Sequence, residues 1–406
     1  MIWKAWREET IPVLGLILSI TGLVTNRPAI LILGLFFWGL AILSSYLARR
    51  SLALIAVKMH VVEPQAEIGQ SVQAEMIVEN PLPWPILDMQ WKVDLPQAVH
   101  PEGPGTTLVV PGGSRQTLTG TLWVRGRQRV RIQYHLTGET RGRWNIGPGS
   151  LIFRDPLSWN ELIREDSSLY YFTVWPRRYP LPSGFWSRNP TSGSLHGRPW
   201  DPPDPIQVLA IRPYQPGDSV RHVAAHASAR MARLMVKQLE PLVDRTIEVL
   251  LHPKTTDQHW HGVDRDLLED SISLAASVVE VAVRSGLTTG LSSTGSIAGH
   301  VRGFTLPAQK RADAADLLTA LAWTQPSGTM DEDLPLVLAR LDRRLVRGAT
   351  LVIVSPYWPA ILTEYLSAKA QRGLEVIFLT LGDTTPAVPH WIRHVWHFQK
   401  GEWVRA

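Results

Sequence analysis

The stretch Arg212-Pro-Tyr-Gln-Pro-Gly-Asp-Ser-Val-Arg-His-Val-Ala-Ala-His-Ala-Ser-Ala-Arg230, running on to Glu240, carries the densest set of conformational instructions in the chain. Pro216-Gly217 is a turn dipeptide, because proline fixes φ and glycine accepts a positive φ at little steric cost. Asp218 stands where a helix N-cap belongs, so the spacing predicts that its carboxylate caps a short helix over Ser219 to Ala227. Beyond it, Ala232, Leu234 and Val236 alternate with Arg233, Met235 and Lys237, the period of a strand. Arg212, Arg221, Arg230, Arg233 and Lys237 make the segment basic around the buried-looking acid Asp218.

On the carboxyl side of this segment the pattern alternates between strand and helix. Thr246 to Leu251 is a β-branched apolar run, and Leu268, Ile272, Ala275, Val279 and Ala282 trace a helix face that stops at Gly286. Leu287 to Ser292, Ala349 to Val354 and Glu375 to Leu381 read as further strands. Helices fit Ala312 to Trp323, Leu334 to Leu345 and Ala360 to Arg372. Strands separated by helices require crossovers, which predicts a doubly wound α/β domain over 241–406, with 206–240 as a segment of its own.

On the amino side the character changes twice. Residues 179–205 are rich in Pro, Gly, Ser and Trp without a sustained period, and read as a linker. Over 51–178 the runs are short and alternating. Leu87, Met89, Trp91 and Val93 alternate with polar neighbours, and so do Val72 to Val78 and Val130 to Leu136. With turns at Asn80-Pro81, Pro111-Gly112-Gly113 and Gly147-Pro148-Gly149, this predicts an all-β immunoglobulin-like sandwich ending with Leu169 to Trp175.

Residues 1–50 hold two uncharged apolar runs, 10–25 and 29–47, divided by Asn26-Arg27-Pro28. The second is long enough to span a bilayer and the first needs tilt or thinning, so the pair reads as a transmembrane helical hairpin. Lys4 and Arg7 precede it and Arg49 and Arg50 follow it, against Arg27 alone in the loop. That asymmetry places both termini in the cytoplasm, with the helices in the cell (inner) membrane. Glu8 and Glu9 in the would-be basic region argue against a cleaved signal peptide.

Composition narrows the chemistry. The chain has no cysteine, which excludes a disulfide framework, thiol catalysis and cysteine-held zinc. A net charge of +5 suits anionic lipid, the partner preferred for a membrane protein over nucleic acid. No Gly-x-x-x-x-Gly-Lys-Ser/Thr phosphate loop and no Gly-x-Ser-x-Gly elbow is present, so any ATP hydrolysis belongs to a partner.

The spacing Arg212-x-Tyr214-x-Pro216-Gly217-Asp218-x-x-Arg221-His222-Val223, followed by Ala227-Ser-Ala-Arg230 and Val236-Lys237-x-x-Glu240, resembles the signature of domain-of-unknown-function family 58. Arg141-Gly-Arg-Trp-Asn-Ile-Gly-Pro148 and Asp155-Pro156 fit the same family's pattern. The resemblance implies membrane helices at the amino end and a von Willebrand factor A-like domain at the carboxyl end. It also implies association with MoxR-type AAA+ ATPases, with no enzymatic activity established for the family. Ala224, Ala225 and His226 depart from the pattern, which has a polar residue, Trp and Lys there.

Candidate sites follow. Arg212, Asp218 and Arg221 form either a structural latch or a docking and anion-binding surface, with Tyr214, Pro216, Gly217, His222, Arg230 and Lys237 around them. Metal-dependent relatives of the α/β domain place Asp-x-Ser-x-Ser after the first strand. Here the stretch is His252-Pro-Lys254-Thr-Thr256, where a lysine would repel a cation, so the expectation is a degenerate, metal-free position. His252, Asp257, His259 and His261 are a weak alternative metal set, and Arg141 or Arg143 is a candidate clamp on Asp155. The chain is expected to be a non-enzymatic scaffold with no cofactor, recruiting a MoxR-type ATPase for the maturation of an unknown client protein. A cell-envelope enzyme or activator with a site near Asp218, and a basic lipid- or nucleic-acid-binding surface, remain as alternatives.

Overall fold

A computed structural model describes residues 2–109, 113–154, 161–186, 203–216, 218–241, 246–256, 262–297, 301–309, 314–326, 330–345, 349–371, 374–383, 385–399 and 401–405. The chain forms two compact units, Met1–Pro176 and Arg177–Ala406.

In the first unit, Pro28 at the first turn of a helix has no N–H to leave unbonded, so it starts a helix rather than breaking one. Helices α1 (Ile2–Val24) and α2 (Pro28–Leu54) form an antiparallel pair joined through Asn26, whose φ of 53° is left-handed. Small residues let the backbones close: a Cβ on Gly22 would collide with the backbone of Leu31. Outward, Ile17, Leu23, Ile32, Phe36 and Leu43 are exposed. Of the two runs expected to span, α2 alone among the described helices is long and apolar enough to cross a bilayer; the apolar part of α1, Pro12–Val24, is shorter.

Helix α2 also runs past residue 47, so the β region begins at Ala56 rather than near Ser51. The last turn is held by partners distant in sequence. Arg164 Nη1 donates to the carbonyls of Leu52 at 2.7 Å and Ile55 at 3.0 Å, and Trp84 Nε1 donates to Ser51 Oγ at 3.0 Å. Carbonyls left over at a helix end need such donors.

Among the described residues the strands that follow are β1 (Ala56–Val61), β2 (Gln65–Glu67), β3 (Ser71–Glu79), β4 (Ile86–Pro96), β5 (Val99–Glu102), β6 (Thr106–Val109), β7 (Arg115–Val124), β8 (Arg129–Gly138), β9 (Gly142–Ile146), β10 (Gly149–Arg154), β11 (Glu161–Asp166) and β12 (Tyr170–Trp175). They build sheets ordered β1-β3-β8-β5 and β11-β10-β4-β7-β6, with a small third sheet β2-β12-β9. Val72, Ala74, Met76 and Val78 of β3 and Ile132, Tyr134 and Leu136 of β8 enter one core with Met89, Trp91 and Leu95 of β4. Trp91 and Tyr134 meet edge to face at 5.8 Å.

The alternation expected in β4 fails at its start. A register shift between Ile86 and Met89 puts Ile86 inside and leaves Leu87 58% exposed. Asp155 lies outside the described residues, and Arg143 stacks 4.2 Å from the Tyr171 ring centre.

In the second unit, β13 (Pro203–Pro213) and β14 (Met235–Pro241) pair only with each other among the described strands, flanking α3 (Ala225–Met231). The main sheet is built from β15 (Thr246–Leu251), β16 (Thr288–Ile297), β17 (Val301–Gln309), β18 (Thr324–Gln325), β19 (Thr350–Val354), β20 (Glu375–Leu381), β21 (His394–Gln399) and β22 (Glu402–Arg405). Its order is β17-β16-β15-β19-β20-β21-β22, with β18 beside β16. The run from β16 to β21 is parallel, and β17 and β22 add antiparallel edges.

The helices are α4 (Arg265–Arg284), α5 (Ala314–Ala322), α6 (Met330–Asp342) and α7 (Ala360–Gln371). α4 carries the chain from β15 to β16, and α7 carries it from β19 to β20 in the opposite direction. Right-handed crossovers therefore put these two helices on opposite faces. Leu250, Leu351, Ile353 and Phe378 form one buried cluster with Leu334 and Leu338 of α6 and Leu362 and Leu366 of α7.

The expected linker over 179–205 is in its first part a piece of this unit. Tyr179 donates its backbone N–H to Ser277 Oγ at 2.8 Å and its hydroxyl to Asp270 at 3.0 Å. Phe185 is buried against Trp396. Aromatic side chains with core to cover override a turn-rich composition. Residues 187–202, including Trp200, lie outside the described residues.

Candidate functional site

One bidentate pair closes the hairpin that carries the signature. β13 and β14 run antiparallel, Arg212 opposite Val236 and Pro213 opposite Met235. After the turn at Pro216 the chain bends back, and Arg212 reaches Asp218. Nη1 donates to Oδ2 at 2.7 Å and Nη2 to Oδ1 at 2.6 Å. The Gln215 N–H donates to the same Oδ2 at 2.8 Å. Such fork-to-fork pairs fix orientation as well as charge. The Arg212 guanidinium, and then the Gln215 N–H, hold the Asp218 carboxyl below the ordinary carboxylate value.

Asp218 is therefore not a helix cap. Both oxygens face Arg212, and the 3-10 turn Val220–His222 and α3 begin at Ser219 and Ala224 without side-chain caps. Val223 separates them, held extended by a bridge to Val236, so the single helix expected over Ser219 to Ala227 is split.

The strand likewise starts at Met235 rather than Ala232, because Ala232 is left-handed at φ 50° and ends α3. Ser228 Oγ accepts the Met235 N–H at 2.9 Å across this turn. Met235 and Val236 are both buried and Leu234 is exposed, which breaks the expected alternation.

The fold brings Arg212, Tyr214, Pro216 and Asp218 together at the turn; the Tyr214 N–H bonds to the Leu234 carbonyl at 2.9 Å. Arg221, Arg230 and Lys237 are exposed around it, His222 is half-buried, and Gly217 lies outside the described residues. Among these bases, Val220, Met231 and Leu234 are 78%, 58% and 58% exposed.

The second candidate lies where the sheet's crossovers diverge, between the carboxyl ends of β15 and β19, the place where open α/β sheets form ligand crevices. There the His252 N–H bonds to the Val354 carbonyl at 2.9 Å. The buried His252 ring meets Thr294 Oγ1 at 2.8 Å through Nδ1, and its Nε2 stands 3.5 Å from Asp331 in the first turn of α6. Lys254 Nζ donates to the other Asp331 oxygen at 2.6 Å. His252 and Lys254 hold the Asp331 carboxyl far below the ordinary range. At 3.5 Å the histidine contact is long for a hydrogen bond, so the lysine pair is the firmer one.

This donor set does not fit a hard divalent cation. An ammonium sits beside the available carboxylate, and Thr256 Oγ1 donates to the Gly262 carbonyl at 2.9 Å. Asp257, His259 and His261 lie outside the described residues. The loop is tied further by Tyr357, whose hydroxyl donates to the Thr255 carbonyl at 2.8 Å. Asp264, the cap of α4, donates its N–H to Thr255 Oγ1 at 3.0 Å.

Residues 210–387 match the family described as protein of unknown function DUF58. The match spans both the hairpin and the cluster of His252, Lys254 and Asp331. No curated protein matches the chain. Among solved structures, the alkylpurine DNA glycosylase AlkC of Pseudomonas fluorescens is similar over 29% of this chain and 30% of its own, at 11% identity and a TM-score of 0.19. A type II cohesin domain from the cellulosome of Acetivibrio cellulolyticus is similar over 30% of this chain and 94% of its own, at 9% identity and a TM-score of 0.21. For the cohesin module of a family 33 glycoside hydrolase of Clostridium perfringens the values are 29%, 94%, 12% and 0.22. Likenesses this slight carry no functional argument.

One feature of the DUF58 segment escapes motif reading. Glu248, in the middle of β15, is fully buried, and among the described residues neither carboxylate oxygen has a hydrogen-bond partner. It lies across Gly290 of β16, where an added Cβ would collide with the carboxylate. Ser292 and Thr305, opposite each other on β16 and β17, also have hydroxyls without a partner among the described residues. Burial pushes the Glu248 carboxyl up to about 7, with Arg344 acting in the opposite sense. The sequence signal was one acid inside the apolar run Thr246 to Leu251.

Proposed function

We propose that the chain is a membrane-anchored, non-enzymatic adaptor that docks a partner through its signature hairpin, the partner being a MoxR-type AAA+ ATPase. The observation that carries this reading is the pairing on one small hairpin of a bidentate latch with outward Val220, Met231 and Leu234 between exposed Arg221 and Arg230. Apolar side chains held out by a rigid turn and rimmed by arginines have the character of a protein-binding patch. The ATPase follows from the family resemblance.

Two further features support the reading. The strand order, with β15 beside β19 and the crossovers that leave them diverging, suits a doubly wound von Willebrand factor A-like domain. In such a domain Lys254 stands where a metal-dependent version would carry a cation ligand. The apolar surface of α1 and α2 suits a helical hairpin in the cell membrane, with both termini cytoplasmic by charge. An enzyme centred on Asp218 is less favoured, since Arg212 faces both of its carboxylate oxygens.

The test uses the full chain in nanodiscs and a purified MoxR-type ATPase from the same genome. Val220→Asp with Leu234→Asp is expected to lower ATPase binding at least tenfold while the melting temperature holds. Unchanged affinity would remove the hairpin as the docking site. Turnover of a substrate by the purified chain alone, lost in Asp218→Asn, would favour the enzyme.

A further inference from the structure

A second exposed patch lies in the first unit, at the end of the β region where α2 enters. Its position can be followed bond by bond. Ser51 in the last turn of α2 accepts from Trp84 Nε1 at 3.0 Å. Asn80 Nδ2 then donates to the carbonyls of Trp84 and Arg125, both at 3.0 Å. Arg125 in turn lies over the Trp123 ring, 5.4 Å from its centre. Trp123 is thus within a few side chains of the helix end.

Large apolar groups at this end are exposed: Trp123 by 58%, Leu87 by 58% and Ile163 by 59%. Each has a local reason. The register shift at the start of β4 turns Leu87 outward, Trp123 is the next-to-last residue of β7, and Ile163 stands opposite Ile152 on the edge strand β11. Edge strands normally carry charge at such positions.

Basic groups surround them. Arg125, Arg127 and Arg129 are exposed on the turn from β7 to β8, and Arg49 and Arg50 are exposed one turn before the end of α2. The acids on this end are Glu79, Asp88 and Glu161. Arg154 offsets two of them, at 2.9 Å from Asp88 and 3.9 Å from Glu161. With Arg164 at the helix end, seven arginines against three carboxylates leave this end at +4 among the described residues.

From these placements we infer that this end of the β region rests on the anionic headgroups of the bilayer that α2 crosses, with Trp123 and Leu87 at headgroup depth. The inference builds on the membrane reading above. Arg49 and Arg50 mark where the apolar run of α2 ends, which is the headgroup level of a spanning helix. Tryptophan is favoured at that depth because its ring is apolar and its N–H is wet, and arginine adds attraction to anionic lipid. Arg164 bonding to the Leu52 and Ile55 carbonyls fixes the β region directly at the helix end, with no linker to hold it away.

A second copy of the chain or a soluble protein is the competing occupant. Continuity with the span and the sign of the charge favour lipid.

The chain lacks cysteine, so a single introduced thiol takes a fluorophore at one place. Full-length Trp123→Cys, labelled and placed in nanodiscs of phosphatidylcholine with phosphatidylglycerol, is compared with labelled Leu108→Cys. Leu108 is opposite Thr117 on β7, about 20 Å along the strand from Trp123. A headgroup-tethered quencher is expected to act several-fold more strongly at 123 than at 108. The difference should shrink when Arg125, Arg127 and Arg129 become Gln, or when the lipid is zwitterionic.

Equal quenching at both positions in a chain that stays in the disc would overturn the inference and leave the anchor standing. A chain that leaves the disc would overturn both. A shielded label at 123 that lipid quenchers do not reach would assign the patch to a protein partner instead.

Discussion

Arg212 and Asp218 are six residues apart and meet in two hydrogen bonds of 2.7 and 2.6 Å, so the signature turn is closed by a charge pair rather than by a helix cap. The difference is testable. Asp218→Asn removes the charge but keeps an acceptor, and it is expected to raise hydrogen exchange across 203–241 well above that of β15 to β20. The melting temperature should change little, because a partly exposed pair contributes modestly. Equal loss of protection throughout the unit would argue that the hairpin is an integral part of the α/β core.

Asp331 gives an acid-side prediction. Its carboxyl is held below the ordinary value in the fold, so its pairing stabilises above the unfolded value and is lost as pH falls through the folded one. Lys254→Met should therefore flatten the loss of stability on acidification below about pH 4, measured by chemical denaturation across that range. Millimolar magnesium should leave the wild-type melting temperature unchanged. A clear upward shift would show that this cluster takes a cation despite Lys254.

Glu248 gives the opposite sign. Its folded value is raised to about 7 from an ordinary 4.5, so stability is full below pH 4.5 and declines as pH rises to about 7. A shift of that size corresponds to roughly 3 kcal/mol in all. Glu248→Gln should abolish the decline, leaving the α/β unit more stable than wild type at pH 8. Parallel pH profiles for the two proteins would refute the assignment.

At the junction of helix and β region, Arg164→Ala removes two charge-assisted bonds to carbonyls of the last turn of α2. A loss of about 2 kcal/mol is expected, from the usual value of bonds to charged groups. Thermal unfolding of the full chain in detergent reads it. Arg164→Lys should recover only part, since one ammonium does not reproduce the guanidinium geometry.

Much of the molecule was legible in its residues. The strand at 375–381 follows from its near-continuous apolar run, which suits a strand buried on both faces, and the inward sets of β3 and β8 follow from their period, because each has one face buried in a shared core. Register breaks were not legible. Leu87 looks like a core residue by spacing, and only the pairing of β4 with β7 turns it out. Tyr179 and Phe185 sit in a stretch whose composition says linker, yet the α/β unit presents Ser277, Asp270 and Trp396 to hold them.

The candidate sites divide in the same way. Sequence placed Asp218 at a turn among arginines, and it placed Lys254 where an acid or hydroxyl would suit a cation. Which arginine Asp218 faces, and that Asp331 from a distant helix answers Lys254, were decided by tertiary structure. Glu248 shows the reason most plainly: its identity is written in the chain, but burial against Gly290, and with it the displaced acidity, exists only once β15 and β16 pair. Local order depends on neighbours a few residues away, which a sequence displays. Contact and desolvation depend on residues brought together by the fold, which it does not.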